Sequence, residues 1–268
     1  MFSWDPYSFI SAAVLIAGLQ LFFFLFAAVF RTDKLTDLAY SLTFFILTVT
    51  LFFAAPGAAP GTAHAGPGVL IALFVVLWAL RLGGYLFVRI LKIGRDVRFD
   101  RMRPNLTAWA SFWLLQTITI WVVMLPVLVV LSGTNPAGWT ALHAAGGVIW
   151  ICGFLIESAA DLQKYRFRED TCNEGRWIGS GLWKYSRHPN YFGESLCWWG
   201  IFLFSLPHLK GILLLTAAGP VFLTVLLLFV TGIPTVEREA EKKYGHLPAY
   251  RTYRANTSPF IPWFPRKD

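Results

Sequence analysis

Long apolar stretches recur along this chain and restrict its fold more than any other feature. A segment of about 20 apolar residues can cross the roughly 30 Å hydrocarbon core of a bilayer as a helix. The run LIAGLQLFFFLFAAVF, residues 15–30, has this length and uniformity, whereas membrane-spanning strands show about ten residues of alternating polarity. Only 14% of the residues are charged, against about 25% in soluble domains. The sequence therefore predicts an all-α integral membrane protein.

The apolar segments predict a single membrane domain with about seven transmembrane helices. The sixth segment is short and is followed by a turn at residues 205–210, so six spans is the alternative. The predicted spans are residues 8–30, 36–54, 68–91, 109–132, 138–158, 190–206 and 211–233.

The distribution of basic residues predicts the orientation. The loops at 55–67 and 133–137 contain no Lys or Arg, whereas the segments 89–103 and 164–187 and the tail contain many. Basic loops face the cytoplasm, so we expect the amino terminus outside and the carboxyl terminus inside. This orientation explains part of the net charge of +8, and the other basic residues are candidates for binding an anion. Because they lie on short loops beside the membrane, nucleic-acid binding is not expected.

A polar segment, GLWKYSRHPNYFGE at residues 181–194, interrupts the apolar sequence before the sixth span. Asn190 and Glu194 are four residues apart, so they share one face if Pro189 begins a helix. Ionisable groups at a membrane segment are costly and are usually functional. We therefore expect this segment to bind a polar ligand.

The second and third spans carry another polar set. Arg81 lies near the middle of span three, with Trp78 and Tyr85 on the same helix face, and Asp37 opens span two ahead of Tyr40. We expect an Asp37–Arg81 ion pair, because an unpaired arginine at that depth costs several kcal/mol. The pair either fixes helix packing or belongs to a ligand pocket, and the sequence leaves both interpretations open.

Glu157 and Asp161 form an i, i+4 pair at the inner end of span five, and Arg168 follows seven residues after Asp161. They are either ordinary charges at a helix end or a site for ribose hydroxyls and amide hydrogens. The arginines of RDVRFDRMR, residues 95–103, are either solvated or a phosphate clamp. The motifs GxGxxG, GxxxxGK[ST] and HExxH are absent, which excludes the soluble nucleotide-binding folds and zinc proteases they mark. The three scattered cysteines indicate no metal site.

The carboxy-terminal part of the chain resembles the corresponding half of the steroid 5-alpha-reductase family. The segments that carry this resemblance are the polar segment, the following SLCWWG, the later EREAEKKYG and the tail segment YRTY. More distantly, they are similar to the sterol C14-reductases. The likeness covers about residues 150–265. It is weaker at LWALRLGGYLFVRI, residues 77–90, and at RDVRFD, residues 95–100.

The resemblance implies a seven-helix fold that holds NADPH in its cytoplasmic half, residues 134–268. A lipid substrate would enter from the bilayer, mainly against residues 1–133. The implied reaction is hydride transfer to the C=C bond of a 3-oxo-Δ4 steroid or a similar enone lipid. The membrane would be a bacterial inner membrane or of endoplasmic reticulum type. A monomer is expected because no GxxxG face stands out. The implied cofactor-binding residues are Glu157, Asp161, Arg168, Arg176, Tyr185, Asn190, Glu194, Arg95, Arg98 and Arg238.

The chain departs from the family where the substrate ketone is bound. Asp37 is the acidic residue nearest to the family's glutamate in span two, and Trp78 stands in place of its tyrosine in span three. Tyr85 and Tyr40 are the candidate replacements. We therefore predict Asp37, Tyr85 and Arg81 as catalytic residues, and Tyr40 and Trp78 as substrate contacts.

Two other kinds of protein are alternatives to a reductase. Isoprenylcysteine and phospholipid methyltransferases share RHPxYxG and an acidic helix near the carboxyl terminus, so transfer of a methyl group from S-adenosylmethionine is the rival activity. A non-enzymatic lipid-binding protein is the other alternative. Reduction is favoured by the combination of Asp161, Arg168 and Arg176 with Asn190 and Glu194. Against it, Glu157 replaces a family asparagine, and Pro234 and Arg238 replace a His and a Tyr near the adenine.

Overall fold

The computed structural model describes residues 5–54, 66–94, 99–100, 102, 104–135 and 137–266. Within these residues the regular elements are helices, and no strand is formed. The α-helices are α1 Phe9–Val29, α2 Thr36–Ala54, α3 Pro67–Ile93, α4 Leu106–Ser132, α5 Ala141–Glu169, α6 Pro189–Ser205, α7 Ala218–Val225, α8 Ile233–Tyr244 and α9 Pro248–Asn256. The predicted all-α membrane fold is confirmed.

Six helical segments of the described chain are long and apolar enough to cross a membrane: α1 to α5 and the composite Gly211–Tyr244. That composite passes from a 3₁₀ helix, Gly211–Ala217, through α7 and a π turn, Leu226–Val230, into α8. The predicted sixth span forms α6, whose 17 residues are at the lower limit for crossing a bilayer. The count of seven spans therefore stays a prediction.

Helix α5 is the element that differs most from its predicted span. It was expected to end near residue 158, but it continues to Glu169. Its last turns carry charged residues at helical spacing. A span predicted from hydropathy ends where such charged residues begin, although the helix continues. The extension carries Glu157 and Asp161 inside a regular helix and brings Arg168 onto its last turn.

Contacts divide the chain into two compact units. The first unit comprises Met1–Gly146 and Ile201–Gly219, and the second comprises Gly147–Gly200 and Pro220–Asp268. The predicted division of the membrane domain at residue 133 into a substrate side and a cofactor side stays a prediction. In the first unit α2 and α3 pack closely, since a Cβ on Gly83 would lie 2.9 Å from the Cβ of Ser41.

Candidate functional site

The second unit contains a cavity of about 580 Å³ beside the polar segment. The last turns of α5, the loop after it, and helices α8 and α9 form its walls. Its charged lining consists of five cationic and three acidic side chains: Lys164, Arg168, Arg176, Arg187, Lys243, Asp170, Glu174 and Glu237. Its aromatic lining consists of Phe167, Trp177, Trp183, Tyr244, Tyr250 and Tyr253. Flat aromatic faces beside an excess of cations suit a ligand with both a planar ring and negative charge.

The RHP motif of the polar segment is joined to α8 through one carboxylate. Glu237 accepts a 2.8 Å hydrogen bond from His188 Nε2. It also forms ion pairs at 3.3 Å with Arg187 Nη1 and with Arg254 Nε. The side chain of Glu237 is only 14% exposed. Glu237 begins the EREAEKKYG segment, but its pairing with RHP was not predicted, because nothing in local spacing links residues 49 positions apart.

Burial lowers the pKa of His188, although its bond to Glu237 acts in the opposite direction. The carboxylate of Glu237 is already shared with Arg187 and Arg254, so it offers little further stabilisation to an imidazolium. His188 is therefore neutral at pH 7 and donates its Nε2 proton to Glu237.

Two tyrosines fix the aromatic side of the cavity. The hydroxyl of Tyr253 donates to the carbonyl of Trp183 at 2.8 Å, and that of Tyr244 donates to the carbonyl of Arg176 at 2.9 Å. Burial raises the pKa of Tyr253 and of Tyr250, so both remain protonated. The rings of Trp177 and Tyr250 meet edge to face at 5.1 Å.

The polar segment is also bonded to α5. Trp183 donates its indole N–H to the carbonyl of Ala160 at 3.1 Å, and Lys164 Nζ lies 4.7 Å from the centre of the Trp183 ring. The side-chain oxygen of Gln163 accepts from the amide of Leu182 at 2.9 Å. These contacts hold the start of the segment against the face of α5 that lines the cavity.

Helices α5 and α6 make their closest approach at two glycines. A Cβ on Gly193 would lie 2.6 Å from the amide nitrogen of Glu157 and 2.7 Å from the carbonyl oxygen of Gly153. Asn190 and Glu194 lie within one turn of Gly193, so the structure brings them to the part of α5 that carries Glu157. Glu157 is 2% exposed. The side-chain oxygen of Asn190 is buried and has no hydrogen-bond partner among the described residues.

The predicted cofactor residues that the structure describes fall into three groups. Arg168 and Arg176 line the cavity. Asp161, 5% exposed, lies on α5 three residues before the cavity-lining Lys164, and with Glu157, Asn190 and Glu194 it belongs to the α5–α6 region. Tyr185 and Arg238 are outside the cavity lining: Tyr185 packs edge to face on Phe264 at 5.9 Å, and Arg238 is exposed on α8. The predicted Arg95 and Arg98 lie outside the described residues.

The first unit places the predicted catalytic and substrate residues on α2 and α3. Asp37 pairs with Arg89 at 2.9 Å, and the predicted Asp37–Arg81 pair stays a prediction. Arg81, Tyr85 and Arg89 follow one another at four-residue spacing on α3, so they form a stripe on one face. The rings of Tyr40 and Trp78 lie 6.5 Å apart, edge to face. The two predicted substrate contacts are therefore neighbours.

Comparison with known proteins identifies the family of the chain. Residues 23–257 match the family described as protein of unknown function (DUF1295). The chain belongs to the DUF1295 family. It is also similar to the uncharacterized protein C594.04c of Schizosaccharomyces pombe, with 24% identity over 226 residues, which is 72% of this chain and 63% of that protein. This DUF1295 member thus spans less than two thirds of that relative's length. No solved structure matches the chain.

Proposed function

We propose that this protein is a membrane-embedded reductase that binds NADPH and transfers hydride to the C=C bond of a 3-oxo-Δ4 steroid or a similar enone lipid. The observation that carries the proposal is the cavity in the second unit. It combines aromatic faces with Arg168 and Arg176, and its wall on α5 begins at Lys164, three residues after the buried Asp161. The DUF1295 family includes steroid 5-alpha-reductase-like proteins, which supports the same class of activity.

The lining residues match the chemical groups of a dinucleotide phosphate. Guanidinium groups bind phosphate oxygens in pairs, so Arg168 and Arg176 would hold phosphates. The aromatic side of the cavity, which includes Trp177 and Tyr250, would take the adenine. The unused side-chain oxygen of Asn190 is an acceptor of the kind that a carboxamide N–H requires. When bound, NADPH supplies the hydride, and the protein supplies position and polarity.

The reaction balances as a two-electron reduction. Hydride adds to the β-carbon of the enone, the π electrons move towards the carbonyl oxygen, and a proton completes the α-carbon. The charge that develops on oxygen requires a hydrogen-bond donor in a dry site. We assign this donor to Tyr85, which lies between Arg81 and Arg89 on α3, with Asp37 compensating the charge of Arg89. Water or the same hydroxyl then supplies the proton.

The test compares two arginines on the last turns of α5. NADPH binding and oxidation are measured on detergent-purified protein, with and without progesterone, for the native chain, Arg168→Ala and Arg166→Ala. Arg168 lines the cavity and Arg166 does not. Loss of one charged contact costs about 1.5–3 kcal/mol, so Arg168→Ala is expected to weaken NADPH binding about tenfold to a hundredfold. Arg166→Ala should bind as the native chain does.

A second variant connects the cofactor to the polar segment. Steroid-dependent oxidation of NADPH should be lost in Glu194→Ala. If NADPH neither binds nor is consumed while S-adenosylmethionine binds, the reductase proposal fails and a methyltransferase takes its place. NADPH binding without steroid-dependent turnover would support the cofactor site and reject this class of substrate.

A further inference from the structure

Two histidines meet inside the first unit: His143 lies on the first turn of α5, and His208 lies in the turn after α6. His143 is 1% exposed and His208 is 5% exposed. Their Nε2 atoms lie 3.1 Å apart. The proposed reductase activity uses neither residue. Imidazoles titrate near neutral pH, and a buried imidazole that takes a proton loses the hydration of its charge, which costs free energy.

The partners of the two rings fix the position of every proton. The backbone amide of Thr140 can only donate, so His143 Nδ1, at 3.1 Å from it, accepts. The proton of His143 is therefore on Nε2, which donates to His208 Nε2. The proton of His208 is then on Nδ1, which donates to the carbonyl of Asn135 at 2.9 Å. All four ring nitrogens are satisfied when both imidazoles are neutral, with one tautomer each.

An added proton breaks this chain of hydrogen bonds. It can attach only to His143 Nδ1 or to His208 Nε2, and each of those lone pairs already accepts a bond. On His208 Nε2 the proton would oppose the Nε2–H of His143. On His143 Nδ1 it could turn to the hydroxyl of Thr140, 3.0 Å away, but only by giving up the bond from the Thr140 amide.

The surroundings give an imidazolium no compensating charge. The rings of Trp139 and Phe204 lie edge to face against His143, at 5.4 and 4.8 Å. The adjoining turns, residues 144–156 of α5 and 195–205 of α6, carry no charged residue, and the acids of these helices begin only at Glu157 and end at Glu194. The charged residues described at this end are Lys210, exposed and two residues after His208, and Asp5. The carboxylate of Asp5 is held by the amide and hydroxyl of Ser11 at 2.8 and 2.7 Å. Protonation therefore carries the cost of a buried, unpaired cation.

We propose that His143 and His208 form a proton-sensitive latch, closed while both rings are neutral and opened when either takes a proton. The latch joins Asn135 and Thr140, between α4 and α5, to the turn at 206–210, and a bond from the Asn135 side chain to the carbonyl of His208 at 3.3 Å reinforces it. In the predicted orientation this end faces away from the cytoplasm, so the latch responds to acidity on that side.

The pH window follows from the sign of the linkage. The closed latch excludes protons, whereas free imidazoles bind them below about pH 6.5. Burial also lowers the pKa of His208. The latch therefore stabilises the closed end above about pH 6.5, and this stabilisation is lost as the pH falls. Each proton linked to opening shifts the equilibrium up to about tenfold per pH unit.

Hydrogen exchange on the full chain in lipid nanodiscs tests the latch. Peptides covering 133–140 and 206–210 are followed at pH 7.5 and 5.5, with rates divided by the intrinsic rate at each pH. We expect about tenfold or greater loss of protection at pH 5.5 in these two peptides and none at 30–36. In the variant His143→Gln with His208→Gln, the amides retain donors and acceptors but cannot titrate, so protection should not depend on pH. Equal pH dependence in that variant would reject the latch.

Nitrogen-15 spectra of the histidines in the native chain give a result that does not depend on the variant folding. Neutral rings with the proton on Nε2 of His143 and on Nδ1 of His208 are expected at pH 7.5. Their protonation should coincide with the loss of protection. If either ring titrates with an ordinary pKa while both peptides stay protected, the proposal is wrong.

Discussion

At the scale of single residues, Glu237 connects several side chains of the second unit through one carboxylate. Three side chains, Arg187, His188 and Arg254, converge on its carboxylate. One of them, Arg254, also pairs with Glu241 at 2.6 Å. Because the RHP motif and α8 form different walls of the cavity, this single carboxylate holds those walls at their observed separation. Its removal should affect both stability and ligand binding.

We predict that Glu237→Gln lowers the free energy of unfolding by about 2–4 kcal/mol, because removing one partner leaves half-buried cations uncompensated. The matched control is Glu239→Gln in the same helix. Glu239 is 53% exposed and pairs with Lys242 at the surface, so its loss should cost less than about 1 kcal/mol. Denaturant unfolding in detergent, followed by tryptophan fluorescence, measures both. Equal losses in the two variants would show that Glu237 is an ordinary surface charge.

At the scale of helices, the candidate site depends on how closely α5 and α6 approach. The contact is made by backbone atoms of Gly153, Glu157 and Gly193, so even one methyl group cannot be inserted without moving a helix. This approach brings Asn190 and Glu194 to the acidic face of α5. The geometry of the predicted cofactor residues is thus set by backbone contacts of Gly153, Glu157 and Gly193.

Alanine at Gly193 is predicted to destabilise the protein by about 1–3 kcal/mol, the usual cost of overpacking, and to weaken NADPH binding. The control is Gly84→Ala in α3, where an added Cβ meets nothing within 4 Å. Alanine there should be neutral or stabilising by up to about 1 kcal/mol, because it favours helix more than glycine does. Thermal unfolding of both variants measures the change in stability, and NADPH titration measures the change in binding. Unchanged binding in a stably folded Gly193→Ala would separate the cofactor site from the α5–α6 contact.

At the scale of the whole molecule, the positions of the apolar helices could be predicted from the sequence, because the bilayer sets their length. The contacts between residues far apart in the chain could not. The second span was predicted at 36–54 and α2 covers Thr36–Ala54, because apolar length sets such boundaries. The segment 211–233 was predicted as one span, but it changes from 3₁₀ to α to π geometry. Pro220 lacks the N–H that would bond the carbonyl of Thr216, and hydropathy does not report this. The partnership of His143 with His208 depends on contacts between distant segments, which no local pattern reveals.

The candidate site could be predicted only in part. Arg168 and Arg176 were predicted as cofactor-binding residues from a family resemblance, and both line the cavity. Glu237 was missed because its role comes from residues 49 and 50 positions earlier in the chain. Asp37 was predicted to pair with Arg81, and that pair stays a prediction, whereas the structure shows an ion pair of Asp37 with Arg89. Charge requirements can thus be read from sequence, whereas the identity of the partner needs the packed helices.

The predicted orientation of the molecule in the membrane can be tested directly with its native cysteines. Cys172 is exposed in the loop after α5, among the basic residues that predict a cytoplasmic side. With Cys152 and Cys197 replaced by serine and alanine, an impermeant maleimide should label Cys172 in inverted vesicles and leave it unlabelled in intact cells. Lys210→Cys, with Cys172 also replaced by serine, is exposed on the turn after α6 and should show the opposite pattern. Labelling of Cys172 in intact cells would reverse the orientation, and the cavity beside it would then face away from cytoplasmic NADPH.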